Sequence, residues 1–268
     1  MLLTSTFFHL AGFMTLCGTV ANAQKPRIEQ ATLNKELIRA VKQGAAKRVE
    51  ELIRQGANPN AVDNVKPRKS VEFPADYAGM KRRTDKSPPP VLLVALTLWP
   101  VDDPGINNRH PVVPAIVETL VRAGANVNVV DPDFKRTPLM LAAMYADVRT
   151  VSSLLSGGAR VNALDGDGFT ALSHAVYTID EDRSPIVKAL LEKGADPNKA
   201  GEAGWVPICY VRGPAKFKYL KLLIEHGADI NARDKEGRTP IAVIKEMAKA
   251  GLAFPVDIIP FLEKAGGH

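Results

Sequence analysis

The sequence contains little cysteine, few aromatic side chains and no apolar run long enough to cross a membrane. Its two cysteines are Cys17 and Cys209. Cys17 lies in a first segment that we expect to be removed, so no internal disulfide is predicted. Aromatic residues make up 6% of the 268 residues, whereas apolar residues make up 46%. This composition favours one large domain of aliphatic helices that is stabilised by core burial.

Catalytic and metal-binding motifs are also missing from the sequence. The five histidines and two cysteines form no H-E-x-x-H or C-x-x-C pattern, and no G-x-S-x-G or phosphate-binding glycine loop occurs. We interpret His174 as a hydrogen-bonded core residue and Cys209 as a small buried apolar residue. The net charge of +6 is modest, and no aromatics alternate with the basic residues. We therefore expect no enzyme, no metal, no cofactor and no nucleic-acid partner.

The first residues form an apolar segment that ends in small side chains. It runs from Phe7 to Val20, about 14 residues, which is shorter than the roughly 20 that a membrane-spanning helix needs. The sequence Ala-Asn-Ala at 21–23 follows the small-x-small pattern of a signal peptidase site. We predict a signal peptide at 1–23, a domain at 24–268 and a periplasmic location. No Lys or Arg precedes the apolar run, and a buried N-terminal helix is the alternative.

One short phrase, glycine-alanine-x-x-asparagine, occurs five times. Its glycines are Gly56, Gly124, Gly158, Gly194 and Gly227, separated by steps of 68, 34, 36 and 33 residues. A helix-opening phrase, Thr-Pro-Leu or a close variant, follows most of these asparagines within eight or nine residues. Threonine caps a helix start, proline suits the first helical turn, and glycine closes a helix at its C-terminus. Each unit is therefore predicted to contain a turn, a helix, a loop, a second helix and a glycine.

In both phrases and in their spacing, the sequence resembles the ankyrin-repeat family over about residues 33–268. The resemblance implies an all-α solenoid of about six helix-turn-helix repeats with short finger turns, in which neighbouring repeats bury one another's apolar faces. The family has a histidine after Thr-Pro-Leu that this chain lacks, so we expect weaker polar bridging between repeats. The repeats are predicted at about 30–63, 64–131, 132–165, 166–200, 201–233 and 234–268, the last being a C-terminal cap.

The second repeat is predicted to carry two insertions, at 64–86 and 99–113. The first holds seven basic and three acidic residues, so that +4 of the total net charge of +6 lies in it. The family resemblance implies that this turn extends the binding surface as a basic finger, and a solvated loop is the alternative. The candidate contact residues in the basic finger are Lys66, Arg68, Lys69, Phe73, Tyr77, Lys81, Arg82 and Arg83.

The remaining candidate contacts are carried over from the family, whose partners meet the finger tips and the exposed ends of the inner helices. Aromatic side chains flanked by charge recur at these positions, as they do at binding hot spots. Local packing of Phe169 and Trp205 is the alternative. The predicted partner-binding residues are Phe134, Lys135, Arg136, Met144, Tyr145, Asp167, Phe169, Tyr177, Trp205, Lys235 and Arg238.

Three functions remain open from the sequence. The resemblance to exported bacterial ankyrin proteins, which include immunity proteins, predicts a periplasmic protein-binding module that inhibits an envelope-targeted toxin such as a phospholipase. The second hypothesis is an envelope oxidative-stress accessory or scaffold protein. The third is electrostatic docking of the basic finger to anionic lipid or cell-wall polymer. We expect a protein partner first and a membrane surface only under the third hypothesis, with a chain that is monomeric when free.

Overall fold

The computed structural model describes eight stretches of the chain. The predicted signal segment 1–23, the basic finger 64–86 and the insertion 99–113, except Val113, lie outside them. The predictions made for these segments therefore stay predictions. The described residues are 29–63, 88–97, 113–178, 182–201, 206–211, 217–234, 236–251 and 257–268.

Within these stretches the chain forms short helices joined by turns, and no strand occurs there beyond an isolated bridge between Val62 and Pro90. A 3₁₀ turn, Pro207–Tyr210, lies between the eighth and ninth helices. The predicted all-α fold is confirmed. The helices are α1 (29–42), α2 (Ala46–Arg54), α3 (Val91–Thr97), α4 (Val113–Arg122), α5 (Pro138–Tyr145), α6 (Val148–Ser156), α7 (Ala171–Tyr177), α8 (Ser184–Glu192), α9 (Phe217–Glu225), α10 (Pro240–Lys249) and α11 (Ile258–Lys264).

The helices form pairs that stack in two rows. The inner row contains α3, α5, α7, the 3₁₀ turn and α10, and the outer row contains α2, α4, α6, α8 and α9, each element packed against the next. We number the pairs as repeats, from α1 and α2 in repeat 1 to α10 and α11 in repeat 6. In repeat 5 the 3₁₀ turn takes the place of the first helix. The core runs through one register position of the inner row, occupied by the buried residues Val91, Leu139, Leu172, Ile208 and Ile241.

Three inner helices begin as the threonine phrase predicts. The hydroxyl oxygens of Thr137, Thr170 and Thr239 each accept a hydrogen bond from the amide three residues ahead, at 3.4, 3.1 and 3.4 Å. Repeat 5 has Val206 at this position, and no side-chain cap is made there. A valine offers no acceptor to the free amides of a helix start. The missing acceptor accounts for the shorter 3₁₀ turn in this repeat.

The asparagine that ends each glycine phrase joins its repeat to the next. Asn128 shows the pattern, since its Nδ2 donates to the carbonyl of Gly158 at 3.1 Å and its Oδ1 accepts from the amide of Arg160 at 2.8 Å. These bonds satisfy backbone groups at the end of the neighbouring outer helix. Polar bridging between repeats therefore runs through these side chains. The same pair of bonds is made by Asn60, Asn162, Asn198 and Asn231.

Candidate partner-binding site

Three aromatic rings from two repeats meet beside the inner row, and we call Phe169, Tyr177 and Tyr210 the aromatic patch. The Phe169 ring centroid lies 6.2 Å from that of Tyr177 and 5.2 Å from that of Tyr210. The two tyrosine rings meet edge to face at 6.0 Å. Phe169 comes from the turn of repeat 4 (165–170), Tyr177 ends α7, and Tyr210 comes from the 3₁₀ turn. Tyr177 is 36% exposed, so the patch presents an apolar surface with a polar tip to solvent.

The buried side chain of His174 packs against this patch. His174 is only 4% exposed, and its ring stacks on Phe169 with centroids 5.2 Å apart and an interplanar angle of 26°. Its Nε2 lies 2.7 Å from Oδ2 of Asp165. The prediction that His174 is a hydrogen-bonded core residue is confirmed. The same imidazole therefore contacts an aromatic ring of the patch and a buried carboxylate.

The carboxylate of Asp165 fixes the shape of the repeat-4 turn. Its Oδ1 accepts hydrogen bonds from the amides of Asp167, at 3.0 Å, and Phe169, at 2.8 Å. Nε of Arg136, from the turn of repeat 3 (131–137), lies 3.8 Å from Oδ2 of the same carboxylate. Asp165 thus ties the backbone that carries Phe169 to the neighbouring repeat.

Burial sets the protonation state of this pair. Burial lowers the pKa of His174 below its ordinary value, although the hydrogen bond with Asp165 opposes that shift. Burial acts to raise the pKa of Asp165, but the bond with His174 and the two amides of the turn outweigh it and lower that pKa. At neutral pH a neutral imidazole therefore donates from Nε2 to an ionised carboxylate.

Two of the predicted contact residues are buried, and the exposure predicted for them is wrong. Arg136 is 3% exposed, and its guanidinium carbon lies 4.4 Å from the ring centroid of Phe134. Met144 is 4% exposed on α5. Arg136 is buried because its guanidinium fits between the turns of repeats 3 and 4, where Asp165 supplies the opposite charge. Met144 is buried because α5 packs between α3 and α7.

The other described candidates remain at least partly accessible. Phe134 and Asp167 are half-buried in their turns, and Tyr145 packs in part against the core. Arg238 pairs with Asp234, at 2.9 Å, as well as with two glutamates. Their role in binding stays a prediction. Outside the described stretches lie Trp205, Lys235 and the eight basic-finger candidates, which are Lys66, Arg68, Lys69, Phe73, Tyr77, Lys81, Arg82 and Arg83.

Lys135 is exposed, but it occupies a special backbone position. Its φ is +57°, in the left-handed region, whereas the corresponding residues of the repeat-4 turn and the repeat-6 turn (234–239) are Gly168 and Gly237, with φ of +79° and +75°. A side chain in this conformation is strained. Lys135 therefore presents its charge at the tip of a turn that would prefer glycine.

The roles of two residues, Tyr210 and Arg183, were not predicted from the sequence. Tyr210 completes the aromatic patch, and a register comparison could have found it, because it stands four residues after Val206 as His174 stands four after Thr170. Arg183 is 2% exposed and donates to the carbonyls of Met144, at 2.6 Å, and Ala146 at the end of α5. Its position in the loop before α8 gave no signal in the sequence.

A row of exposed aliphatic side chains occupies a register position different from those of the aromatic patch. Val62, Val130 and Leu164 each directly precede the aspartate that begins a turn, so they share one register position in repeats 1, 2 and 3. They are among the large apolar side chains that the described part of the chain exposes. This aliphatic row is a second apolar surface against which the patch can be compared.

The described stretches contain neither a cluster of metal ligands nor a membrane-spanning helix. No group of three or more His, Cys, Asp or Glu side chains there could hold a metal ion. None of the helices described has the length and apolar character that crossing a bilayer requires.

The stacked helix pairs and the asparagine bridges form a solenoid of helix-turn-helix repeats. Residues 110–201 match the family model described as ankyrin repeats in three copies. This match covers repeat 3, repeat 4 and the second helix of repeat 2. The predicted ankyrin repeats are thereby confirmed for residues 110–201.

Each of the following curated relatives matches about a third of this chain. The chain is 36% identical over 101 residues to the human protein "SH3 and multiple ankyrin repeat domains protein 2", covering 37% of this chain and 5% of that protein. It is 36% identical over 107 residues to human "Ankyrin repeat and SOCS box protein 6", covering 37% and 25%. An "L-asparaginase" of Dirofilaria immitis is 33% identical over 99 residues, covering 36% and 16%. The chain thus spans a quarter or less of the length of these relatives.

Proposed function

We propose that this chain is an exported, periplasmic ankyrin module that binds and inhibits one protein partner, an envelope-directed toxin such as a phospholipase. The observation that carries the binding part is the aromatic patch, because its rings are already packed and oriented. A preformed surface loses little conformational entropy when a partner binds. Aromatic side chains with a polar tip are also the residues that contribute most to interface hot spots.

The basic finger supports the same proposal through its charge. Its +4 lies in the sequence between Asp63 and the start of α3, at the register position where other repeats have a turn such as the one that carries Phe169. Charges at the edge of an interface raise the association rate and select partners of opposite charge. We infer a partner with an acidic surface next to an apolar anchor.

The first experiment tests the partner and the patch. Tagged full-length protein is used to capture proteins from an envelope extract, and the dominant stoichiometric partner is then titrated against variants. Tyr177→Ser should weaken binding at least tenfold, because it removes an exposed ring from the patch. The matched control is Val148→Ser on the outer row, where Val148 is 38% exposed and Tyr177 36%. Equal binding by both variants would refute the role of the patch.

The second experiment tests the basic finger. Reversing the charge of Arg82 and Arg83 together should lower the association rate several-fold and make binding less sensitive to salt. Reversing Lys188 and Lys193, exposed basic residues in the middle of the outer helix α8 and directly after it, is the control. Unchanged binding after deletion of 64–86 would exclude the finger. Weakening by Leu164→Lys but not by Tyr177→Ser would move the interface to the aliphatic row.

The inhibitory role needs its own measurement. Lipase activity of the captured partner, if it hydrolyses phospholipid vesicles, should fall in proportion to added protein and reach zero near equimolar amounts. A partner that keeps full activity in the saturated complex would leave a binding module and exclude an inhibitor. A periplasmic location is checked by fractionation, with loss of the mature form from the periplasmic fraction after deletion of 1–23.

A further inference from the structure

We propose that the aromatic patch is a pH-gated surface, in which protonation of the buried His174 loosens the repeat-4 turn and disperses the patch in acidic solution. This inference rests on the proposed function, because it concerns the regulation of the same binding surface. It deepens that proposal by adding a condition under which the partner is released.

The imidazole of His174 makes two contacts that couple its protonation to the aromatic patch. The imidazole of His174 stacks on Phe169 with centroids 5.2 Å apart, and its Nε2 lies 2.7 Å from Oδ2 of Asp165. Asp165 in turn holds the amide of Phe169 at 2.8 Å. A displacement of this ring therefore changes the position of Phe169 both through its side chain and through its backbone.

Burial disfavours protonation of His174, and so does the positive charge of Arg136, whereas the carboxylates of Asp165 and Asp167 favour it. The repeat-4 turn supplies Asp165 and Asp167, and the repeat-3 turn supplies Arg136, whose Nε lies 3.8 Å from the same carboxylate oxygen. The 3₁₀ turn contributes the thiol of Cys209 and the phenol of Tyr210. On α8, Lys188 and Glu192 are exposed and 3.8 Å apart. With the imidazole neutral, the buried Asp165 and Arg136 balance one another.

Protonation would place a second cation in this buried site. The imidazolium and the guanidinium would then share one buried carboxylate oxygen, and burial of an additional charge is unfavourable. The repulsion is relieved when His174 or Arg136 moves towards solvent. Movement of His174 unstacks Phe169, and movement of Arg136 separates the turns of repeats 3 and 4. Each outcome disrupts the patch.

The pH range follows from the direction of the shift. Burial lowers the pKa of His174 below 6.5, its ordinary value, so the unfolded chain binds this proton more readily than the folded one. The stability that the neutral form contributes is complete above pH 6.5 and is lost as the pH falls through the lower folded pKa. The patch is therefore intact at neutral pH and disperses in more acidic solution.

The repeats themselves provide a control variant. The residues at the register position of His174 in repeats 2 and 3 are Leu93 and Leu141, both buried. The stack thus accommodates leucine at this position, and His174→Leu removes the titrating group while keeping an apolar side chain there. If that variant fails to fold, His174→Gln replaces it, because glutamine keeps an N–H donor and cannot be protonated.

The test uses the free full-length chain and needs no partner. Carbon-13 NMR spectra of labelled His, Phe and Tyr rings are recorded between pH 8 and 4.5. In the wild type, the signals of Phe169, Tyr177 and Tyr210 should shift together with that of His174, with a common midpoint below 6.5 and a width of about two pH units.

The outcomes are distinct. In His174→Leu, or in His174→Gln, the tyrosine and phenylalanine signals should stay unchanged over the same range. A His174 midpoint at or above 6.5, rings that do not follow it, or rings that shift equally in the variant would each overturn the inference. A pH-independent patch would leave capture of a partner at neutral pH unaffected, so failure here is separable from failure of the proposed function.

Discussion

The backbone amide of Arg183 donates a hydrogen bond to the hydroxyl of Tyr219 at 2.7 Å. This bond links the loop before α8 in repeat 4 to α9 in repeat 5. The guanidinium of the same arginine reaches the end of α5 in repeat 3. Arg183 thereby connects repeats 3, 4 and 5. Repeat 5 is the repeat that has a 3₁₀ turn in place of its first helix.

Tyr219→Phe should lower the free energy of unfolding by about 1–2 kcal/mol, because it leaves the buried amide of Arg183 without its acceptor. Urea denaturation followed by circular dichroism measures the change. Tyr177→Phe, at a partly exposed tyrosine, is the control and should stay within about 0.5 kcal/mol. Equal stability of the two variants would show that solvent replaces the Tyr219 hydroxyl.

Arg183→Met should be more destabilising, by about 2–3 kcal/mol, since it leaves the carbonyls of Met144 and Ala146 unsatisfied. Arg183→Lys should recover only part of this loss, because an ammonium lacks the planar fork with which a guanidinium reaches both carbonyls. Thermal unfolding of the three proteins gives the order. A lysine variant as stable as the wild type would contradict the explanation from guanidinium geometry. It would show that a positive charge at the end of α5 is sufficient.

Asn128→Ala should lower the free energy of unfolding by about 1–2 kcal/mol, because the carbonyl of Gly158 and the amide of Arg160 lose their partner. The matched control is Asn126→Arg in the same phrase. Repeat 3 has Arg160 at the position of Asn126, so the stack tolerates arginine there, and we expect a change within about 0.5 kcal/mol. Denaturant midpoints that fall equally for both would show that the phrase acts only as a turn.

Lys135→Gly should stabilise the protein by about 0.5–1 kcal/mol, because glycine relieves the strain of a φ of +57° and loses part of the gain to chain entropy. The opposite change, Gly237→Ala, should destabilise by about 1 kcal/mol. A Cβ at Gly237 would meet no atom within 4 Å, so this cost is purely conformational. Calorimetric melting of both variants checks the sign. Stabilisation by Gly237→Ala would contradict the assignment.

Asp182 provides a prediction of pH dependence. Its bond with Lys218, together with the hydrogen bond from the backbone amide of Ser184, lowers its pKa from 3.8 to about 2. The contribution is therefore complete above pH 3.8 and is lost as the pH falls towards 2. Because both side chains are largely exposed, we expect Asp182→Asn to cost only about 0.5 kcal/mol at pH 7. The difference from wild type should vanish near pH 2, and a constant difference in urea titrations across this range would exclude ionisation as its cause.

The repeat architecture could be predicted because its signals are local. Gly124, with φ of +87°, needs no neighbouring repeat to favour the end of a helix, and Thr137 caps its own helix. The candidate site could be predicted only in part. Phe169 and Tyr177 were selected for their exposed register, but Tyr210 joins them from another repeat, 33 residues further along the chain than Tyr177.

The solenoid could be predicted without any tertiary information, because each repeat contains its own helix starts, helix ends and apolar face within about 34 residues. Tertiary structure alone decided which polar side chains are buried. Arg136 has the sequence position of a surface residue, yet the stacking of two turns encloses it beside Asp165 and Phe134. Burial of this kind depends on the distance between neighbouring repeats, and no single repeat contains that information.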